Sequence, residues 1–385
     1  MSTLNLILLI LTIFSSFLCA GSFYFVFRAL VIDKKKIASP FSFAPPVSIL
    51  KPLQGLDSEL EKNLEAFCHL DYPDYEMIFC FKNAKDPAYP LAEKLKQNCG
   101  NIPVKIVVDP TFYGYNPKID NLVAGINEAK NDLILISDGD IRPDRDYLKE
   151  LANYFQDPQV GLVTNLIGGK GNRSLGAILE NLYLNSFVIG SVTSVNYAFK
   201  WPCVVGKSMI FKKSDIEKIG GILSFKDFLA EDYLIGRGLQ KMGKKVLISP
   251  HIVSCINTHR SLKKFLNRHF RWTLLRYRLS TPAYLCELLV NPIFFSLILF
   301  FTSRFSLGSF FLLITVTIYK ILLEALQGKA ILERFKILPY LFVPVKDLIF
   351  GFLWFTPFVK RSVTWRDHKL IMKRYTELEP KEKSG

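Results

Sequence analysis

Short apolar runs separated by amphipathic stretches fill the middle of the chain, and long unbroken apolar runs flank them. The first long run, Leu6 to Phe27, has about 22 residues, enough for a helix to cross a bilayer. After a linker ending in Pro45-Pro46, Val47-Ser48-Ile49-Leu50 reads as a strand. Ser58-x-x-Glu61 has capping-box spacing and precedes Leu60, Leu64 and Phe67 at helical period. The alternation continues with strand 77–81, helix 88–97, strand 104–108, helix 118–129 and strand 133–137. Helix 147–155 and strand 161–164 follow. This βαβ order predicts an α/β fold with a mostly parallel sheet covered by helices, its C-terminal strand ends gathered at one rim.

Beyond Trp201 the pattern loosens. Gly220-Gly221 predicts a turn, 228–242 a helix, and 262–279 a basic helix studded with Phe265, Phe270, Trp272 and Leu275, suited to a membrane interface. Segments 282–301 and 305–323 are each long enough to span. Segment 337–359 conflicts with itself, because Lys346 and Asp347 lie at its centre. Each charge costs about 2.5–3.5 kcal/mol at mid-bilayer. Three spans here would also place the basic 360–374 tail outside, so at least one segment is expected to be re-entrant or interfacial. The resulting division is an anchor over 1–32, an α/β domain over 33–280 ending in the basic interfacial helix, membrane segments over 281–359 and a basic polar tail over 360–385.

Half of the 385 residues are hydrophobic and 14% are aromatic, a composition that fits a membrane protein. No positive charge precedes the first apolar run, whereas Arg28, Lys34, Lys35 and Lys36 follow it. That flank predicts an uncleaved anchor with the following domain in the cytoplasm. Seven scattered cysteines, none in a C-x-x-C pair, predict reduced thiols, and five isolated histidines predict no zinc site. The net charge of +15 is concentrated: ten Lys/Arg and no Asp/Glu lie between Lys241 and Arg278. This favours a surface beside anionic lipid or an anionic substrate over a nucleic-acid partner.

The chemistry is carried by an ordered set of motifs. Strand 133–137 ends in Asp138-Gly139-Asp140, two carboxylates leaving a strand end where an α/β sheet gathers its ligands. Such a pair can share Mg²⁺ or Mn²⁺ with substrate phosphates, although Asp-Gly-Asp is also an ordinary turn. Around it stand Lys51-Pro52-Leu53-x-Gly55, Asp86-Pro87, Glu231-Asp232-Tyr233 and Arg268-x-x-Arg271-Trp272. Taken in this order, the set resembles the D, DxD, ED and Q/RxxRW pattern of membrane-bound family 2 glycosyltransferases. Lys51–Asp57, Leu70–Pro73, Asn116–Leu122, Gly206-Lys207-Ser208-Met209 and Ala230–Tyr233 resemble ceramide glucosyltransferases and their bacterial hopanoid-modifying relatives.

That resemblance implies a GT-A type fold and a metal-dependent, inverting transfer of a hexose, glucose from UDP-glucose, to a membrane lipid hydroxyl such as ceramide. Asp140 would ligate the metal and Asp138 the metal or the donor ribose. Asp86 would hold the uracil, or else cap an Asp-Pro turn. Arg268, Arg271 and Trp272 would meet the pyrophosphate, or else Arg268 and Arg271 would meet lipid headgroups. Lys51 and Lys118 would be further phosphate contacts or ordinary surface lysines. Asp232 would be the general base. Intact Asp138 and Asp140 lean towards the bacterial branch, whose acceptors vary. A hopanoid or diacylglycerol acceptor, a processive polysaccharide synthase and a non-catalytic membrane scaffold are the alternatives.

Overall fold

The computed structural model describes residues 2–37, 43–365 and 368–380. It divides into two compact units. A sheet unit comprises Asp33–Lys170 and Lys200–Thr258, and a helical unit comprises Met1–Ile32, Gly171–Phe199 and His259–Gly385. Residues 171–199 and 259–280, expected within the 33–280 domain, cluster with the helical unit.

The sheet unit is built on eight strands: β1 (Val47–Pro52), β2 (Tyr75–Phe81), β3 (Val104–Val108), β4 (Leu133–Ser137), β5 (Ile141–Arg142), β6 (Val160–Lys170), β7 (Ser208–Lys212) and β8 (Lys245–Ile256). Their order is β3-β2-β1-β4-β7-β6-β8-β5. The first four neighbours are parallel, as the alternation predicts. β7 runs antiparallel to both β4 and β6, and β5 is antiparallel to β8. Strands β1, β2 and β4 are buried on both faces, so they read in the sequence as apolar runs. Helix Pro117–Glu128 packs Ile119, Leu122, Val123 and Ile126 against Leu50, Ile78, Ile134 and Ile136 of the sheet.

Several expectations shift. β6 is longer than the 161–164 run, reaching Lys170, and β5, β7 and β8 have no counterpart in the reading. The capping box does not form. Helix Leu60–Glu65 begins after Glu59, which is in the left-handed region with its carboxylate on Arg142 at 2.8 Å. Cys68 and Cys99 are joined as a disulfide with Cα atoms 5.0 Å apart, against the expectation of reduced thiols, while Cys19, Cys80, Cys203, Cys255 and Cys286 are not in disulfides.

In the helical unit, four helices among the described residues are long and apolar enough to cross a membrane: Thr3–Asp33, Leu175–Phe199, Leu307–Ile331 and Leu338–Val359. The second has no counterpart in the reading. The segment expected to span over 282–301 forms two helices, Thr281–Val290 and Pro292–Thr302, bent by 69°, the form of a broken span or of the expected re-entrant segment. Helix Leu338–Val359 tolerates its central charges because they are paired. Lys346 Nζ lies 2.7 Å from Glu324 Oε1 and 3.0 Å from Asp347 Oδ1, and it donates to Ser186 Oγ at 2.9 Å.

Candidate active site

The sheet's one inverted central strand creates the site. Because β7 is antiparallel to β4, Ser208 pairs with Ser137, and the residues entering β7 meet those leaving β4. Asp138 N–H accordingly donates to Lys207 O at 3.1 Å. Parallel pairing of β1 with β4 brings the end of β1 to the same rim. Lys51 is fully buried there, donating to Ser137 Oγ at 3.1 Å and Asp138 O at 2.8 Å, with its ammonium 3.8 Å from the Phe67 ring centre. It therefore props the turn that carries Asp138 and is no surface lysine. Burial, only partly opposed by Asp138 and Asp140, pushes its pKa down to about 7.

Two helix N-termini complete the rim. Asn116 caps helix Pro117–Glu128, accepting from Lys118 N–H at 2.9 Å and Ile119 N–H at 3.3 Å. The same side chain donates to Phe228 O at 2.6 Å and Glu231 Oε2 at 3.0 Å, tying this helix to helix Glu231–Lys241. Lys118, in the first turn, reaches Gly206 O at 2.6 Å, Asp138 Oδ1 at 2.9 Å and Glu231 Oε1 at 3.6 Å. Asp232 accepts from Gly206 N–H at 2.7 Å and from its neighbour Tyr233 N–H at 2.8 Å. Lys207 Nζ bonds Asp140 Oδ2 and stands 4.0 Å from Asp138 Oδ2.

Asp138, Asp140, Lys51, Lys118 and Asp232 are thus brought together around Gly206-Lys207. Burial lowers the pKa of Lys118, but Asp138, Glu231 and Asp232 outweigh it and hold the amine charged. Burial raises Glu231 to about 7 and raises Asp232 above the usual carboxylate range, while Lys118 opposes both shifts. Both motif carboxylates face Lys207 Nζ, Asp140 directly and Asp138 at 4.0 Å, and their hard oxygens suit Mg²⁺ or Mn²⁺. Among the described residues no group of three or more acidic, His or Cys side chains could hold a metal unaided. A cation here would take its remaining ligands from phosphate and water, the usual arrangement for Mg²⁺.

Asp86 sits on the loop after β2. Both its carboxylate oxygens accept from Gly55 N–H at 2.9 Å, and Oδ1 also accepts from Ala88 N–H at 2.8 Å, so it clamps the Lys51–Gly55 turn. Gly55 has φ +71°, a conformation that favours glycine. Arg268, Arg271 and Trp272 lie on helix Leu262–Leu279 of the helical unit. There Arg268 stacks 4.5 Å from the Trp272 ring and lies 3.5 Å from Glu180, whose other oxygen meets His269 at 2.9 Å. Lys207, Gly206 and Asn116 are the site residues that motif reading passed over. Their only signal was the pair of stretches, Gly206–Met209 and Asn116–Leu122, that joined the resemblance without a role.

A family model described as "Glycosyl transferase family 21" matches residues 12–378. Ceramide glucosyltransferase 3 of Caenorhabditis elegans is 28% identical over 334 residues, covering 85% of this chain and 72% of that one. Ceramide glucosyltransferase 1 of the same organism is 28% identical over 339 residues, covering 84% and 71%. Among solved structures, a Pyrobaculum calidifontis mannosyltransferase in complex with GDP-Man and Mn²⁺ is similar with a TM-score of 0.47 at 17% identity, covering 91% of this chain and 99% of that one.

Proposed function

The chain belongs to glycosyl transferase family 21 and is a glycosyl-transferring membrane enzyme, and from that premise we propose its reaction. It moves a hexose, glucose from UDP-glucose, onto the hydroxyl of a membrane lipid, with ceramide the first acceptor to test. The observation that carries this reading is the meeting of Asp138, Asp140 and Asp232 around Lys118, the Gly206 backbone and the Lys207 side chain. The names of the Caenorhabditis elegans relatives support glucose and ceramide.

Asp232 takes the proton from the acceptor hydroxyl as its oxygen attacks the anomeric carbon. The bond from that carbon to the diphosphate breaks with inversion, leaving a β-linked lipid glycoside and a nucleoside diphosphate. A positioned base of this kind contributes about 10²–10⁴ in rate. A divalent cation held by Asp138 and Asp140 would supply positive charge against the leaving diphosphate. Lys118 holds Asp138 in place, and Lys51 fixes the turn beneath it. Asp86 is proposed to shape the uracil end through its clamp on Gly55. Arg268 and Arg271, with Trp272, are proposed as diphosphate contacts on the strength of the motif, since guanidinium forks pair with phosphate oxygens two at a time. The basic flank after the first helix supports a cytoplasmic catalytic domain, in a bacterial inner membrane or a Golgi membrane.

The test is sugar transfer by membranes carrying the protein, with labelled UDP-glucose and Mg²⁺ or Mn²⁺. Ceramide, a hopanoid and diacylglycerol are offered separately, each beside Asp232→Asn. Glucosylceramide that vanishes in the variant supports acceptor and base together. Transfer to another lipid alone replaces the acceptor, and no transfer to any of them refutes the reading.

A further inference from the structure

Each oxygen that the Asp138–Asp140 pair turns towards its shared point already faces an ammonium, and the two ammonium groups are held differently. Lys118 is pinned from three sides, by Gly206 O, Asp138 and Glu231. Lys207 instead bridges the pair itself, bonded to Asp140 Oδ2 and 4.0 Å from Asp138 Oδ2. A divalent ion bound to the same oxygens would sit about 2.0–2.1 Å from each, beside an ammonium whose like charge opposes it. Binding between these two residues is therefore favoured when Lys207 swings away.

We propose that Lys207 is a built-in counter-cation: it holds the motif carboxylates until a divalent ion arrives, then yields the place and turns to the donor diphosphate. The proposal rests on the reading of Asp138 and Asp140 as cation ligands. Three features on the same rim support it. The backbone beneath the side chain is fixed, with Asp138 N–H donating to Lys207 O and Gly206 N–H donating to Asp232, so exchange needs only the four-carbon stem to swing. The Asp138 side chain is 29% exposed, so an ion can approach from that residue's side, while the Asp140 and Lys207 side chains, at 12% and 10%, are held in the interior beside it. The charge count favours exchange over simple addition. Four carboxyls, Asp138, Asp140, Glu231 and Asp232, already face three amines, Lys51, Lys118 and Lys207. A dication added beside all three amines would leave an excess of positive charge that the incoming diphosphate, met by a freed Lys207, would offset. Cation and donor should accordingly bind better together than apart.

The experiment titrates Mn²⁺ into the full-length protein in lipid nanodiscs and follows free Mn²⁺ by EPR. Wild type, Lys207→Met, Lys207→Gln and the Asp138→Asn/Asp140→Asn double variant are compared, each checked by its thermal unfolding midpoint. With the competing ammonium gone, Lys207→Met and Lys207→Gln should bind Mn²⁺ about tenfold more tightly than wild type, and adding UDP should narrow that gap. The double Asp variant should lose the site. Equal Mn²⁺ affinity in wild type and both Lys207 variants, with loss in the double variant, overturns the role of Lys207 and leaves the cation ligands standing. A titration that the double variant does not change overturns the ligand reading, and the counter-cation falls with it. Weaker binding in both folded Lys207 variants also overturns it, since the lysine would then be helping the ion to bind.

Discussion

Gly206→Ala is the sharpest probe of the proposed base, because it leaves every candidate chemical group in place. A Cβ built on Gly206 would lie 2.6 Å from Asp232 Oδ2, 2.9 Å from its Cβ and 3.0 Å from its Cγ. Ordinary contact begins at 3.4 Å, so the carboxylate must retreat by about 0.8 Å. Rotation of the side chain cannot relieve the clash, since the new methyl meets three of its atoms. The helix start cannot move freely either, because Asn116 ties the adjacent Glu231 to the neighbouring helix. The residue's φ is not in the left-handed region, so the demand on glycine here is for space. A misplacement of about 1 Å costs about 10² in rate, against about 10²–10⁴ for removing a general base outright. The overpacking itself should cost about 1–3 kcal/mol of stability. The assay is kcat and KM for transfer, with Asp232→Asn and the double variant measured beside it. If Gly206 acts by positioning Asp232, the double variant is no slower than Asp232→Asn alone. A Gly206→Ala protein with wild-type kcat, or a double variant slowed by the full product of the two effects, would refute the placement of the base.

Lys118→Met should move the acid limb of kcat/KM to higher pH, because burial already raises Asp232 and Lys118 is the main group holding it down; a limb that moves to lower pH sinks the assignment. Burial pulls His251 down, but Asp144 and Glu150, at 3.2 and 3.0 Å, outweigh it and raise the imidazole to about 9. A raised folded pKa stabilises below the unfolded value of about 6.5 and loses that contribution as pH climbs through about 9. His251→Gln should therefore cost stability at about pH 6 and far less at about pH 10 in thermal unfolding, and an equal loss at both would count against the pair. Glu324→Gln removes the nearer of two carboxylates at Lys346 Nζ, 2.7 Å away inside the helical unit, leaving Lys320 and Lys346 to share Asp347, and should cost about 3–5 kcal/mol. Adding Lys346→Met should recover most of that loss; if the single variant unfolds at the wild-type midpoint, the pair is not what permits this helix.

What the sequence made legible, and what it hid, follows from whether a residue's partner is near it in the chain. Strands β1, β2 and β4 were readable because burial on both faces leaves a local mark, an apolar run closed by a turn. Helix Leu175–Phe199 left no such mark, since Glu180, Asn181, Asn185 and Ser186 interrupt its apolar surface. Those interruptions are its contacts: Glu180 meets Arg268 and His269, and Ser186 meets Lys346. The same logic made Lys346 and Asp347 look impossible at the centre of a span, because a sequence shows the charge without Glu324 and Lys320 beside it. In the site, Asp138, Asp140 and Asp232 stood out through motif order, whereas Lys207 did not. Alternating strands and helices predict parallel neighbours, and a parallel β7 would carry residues 206 and 207 to the opposite rim from Asp138. Only the inversion of that strand, which no local pattern records, sets Lys207 against the carboxylate pair and Gly206 against Asp232. The general character of the sheet was therefore legible while the single strand that assembles its chemistry was not, and variants at Gly206 and Lys207 test what the motifs alone could not have identified.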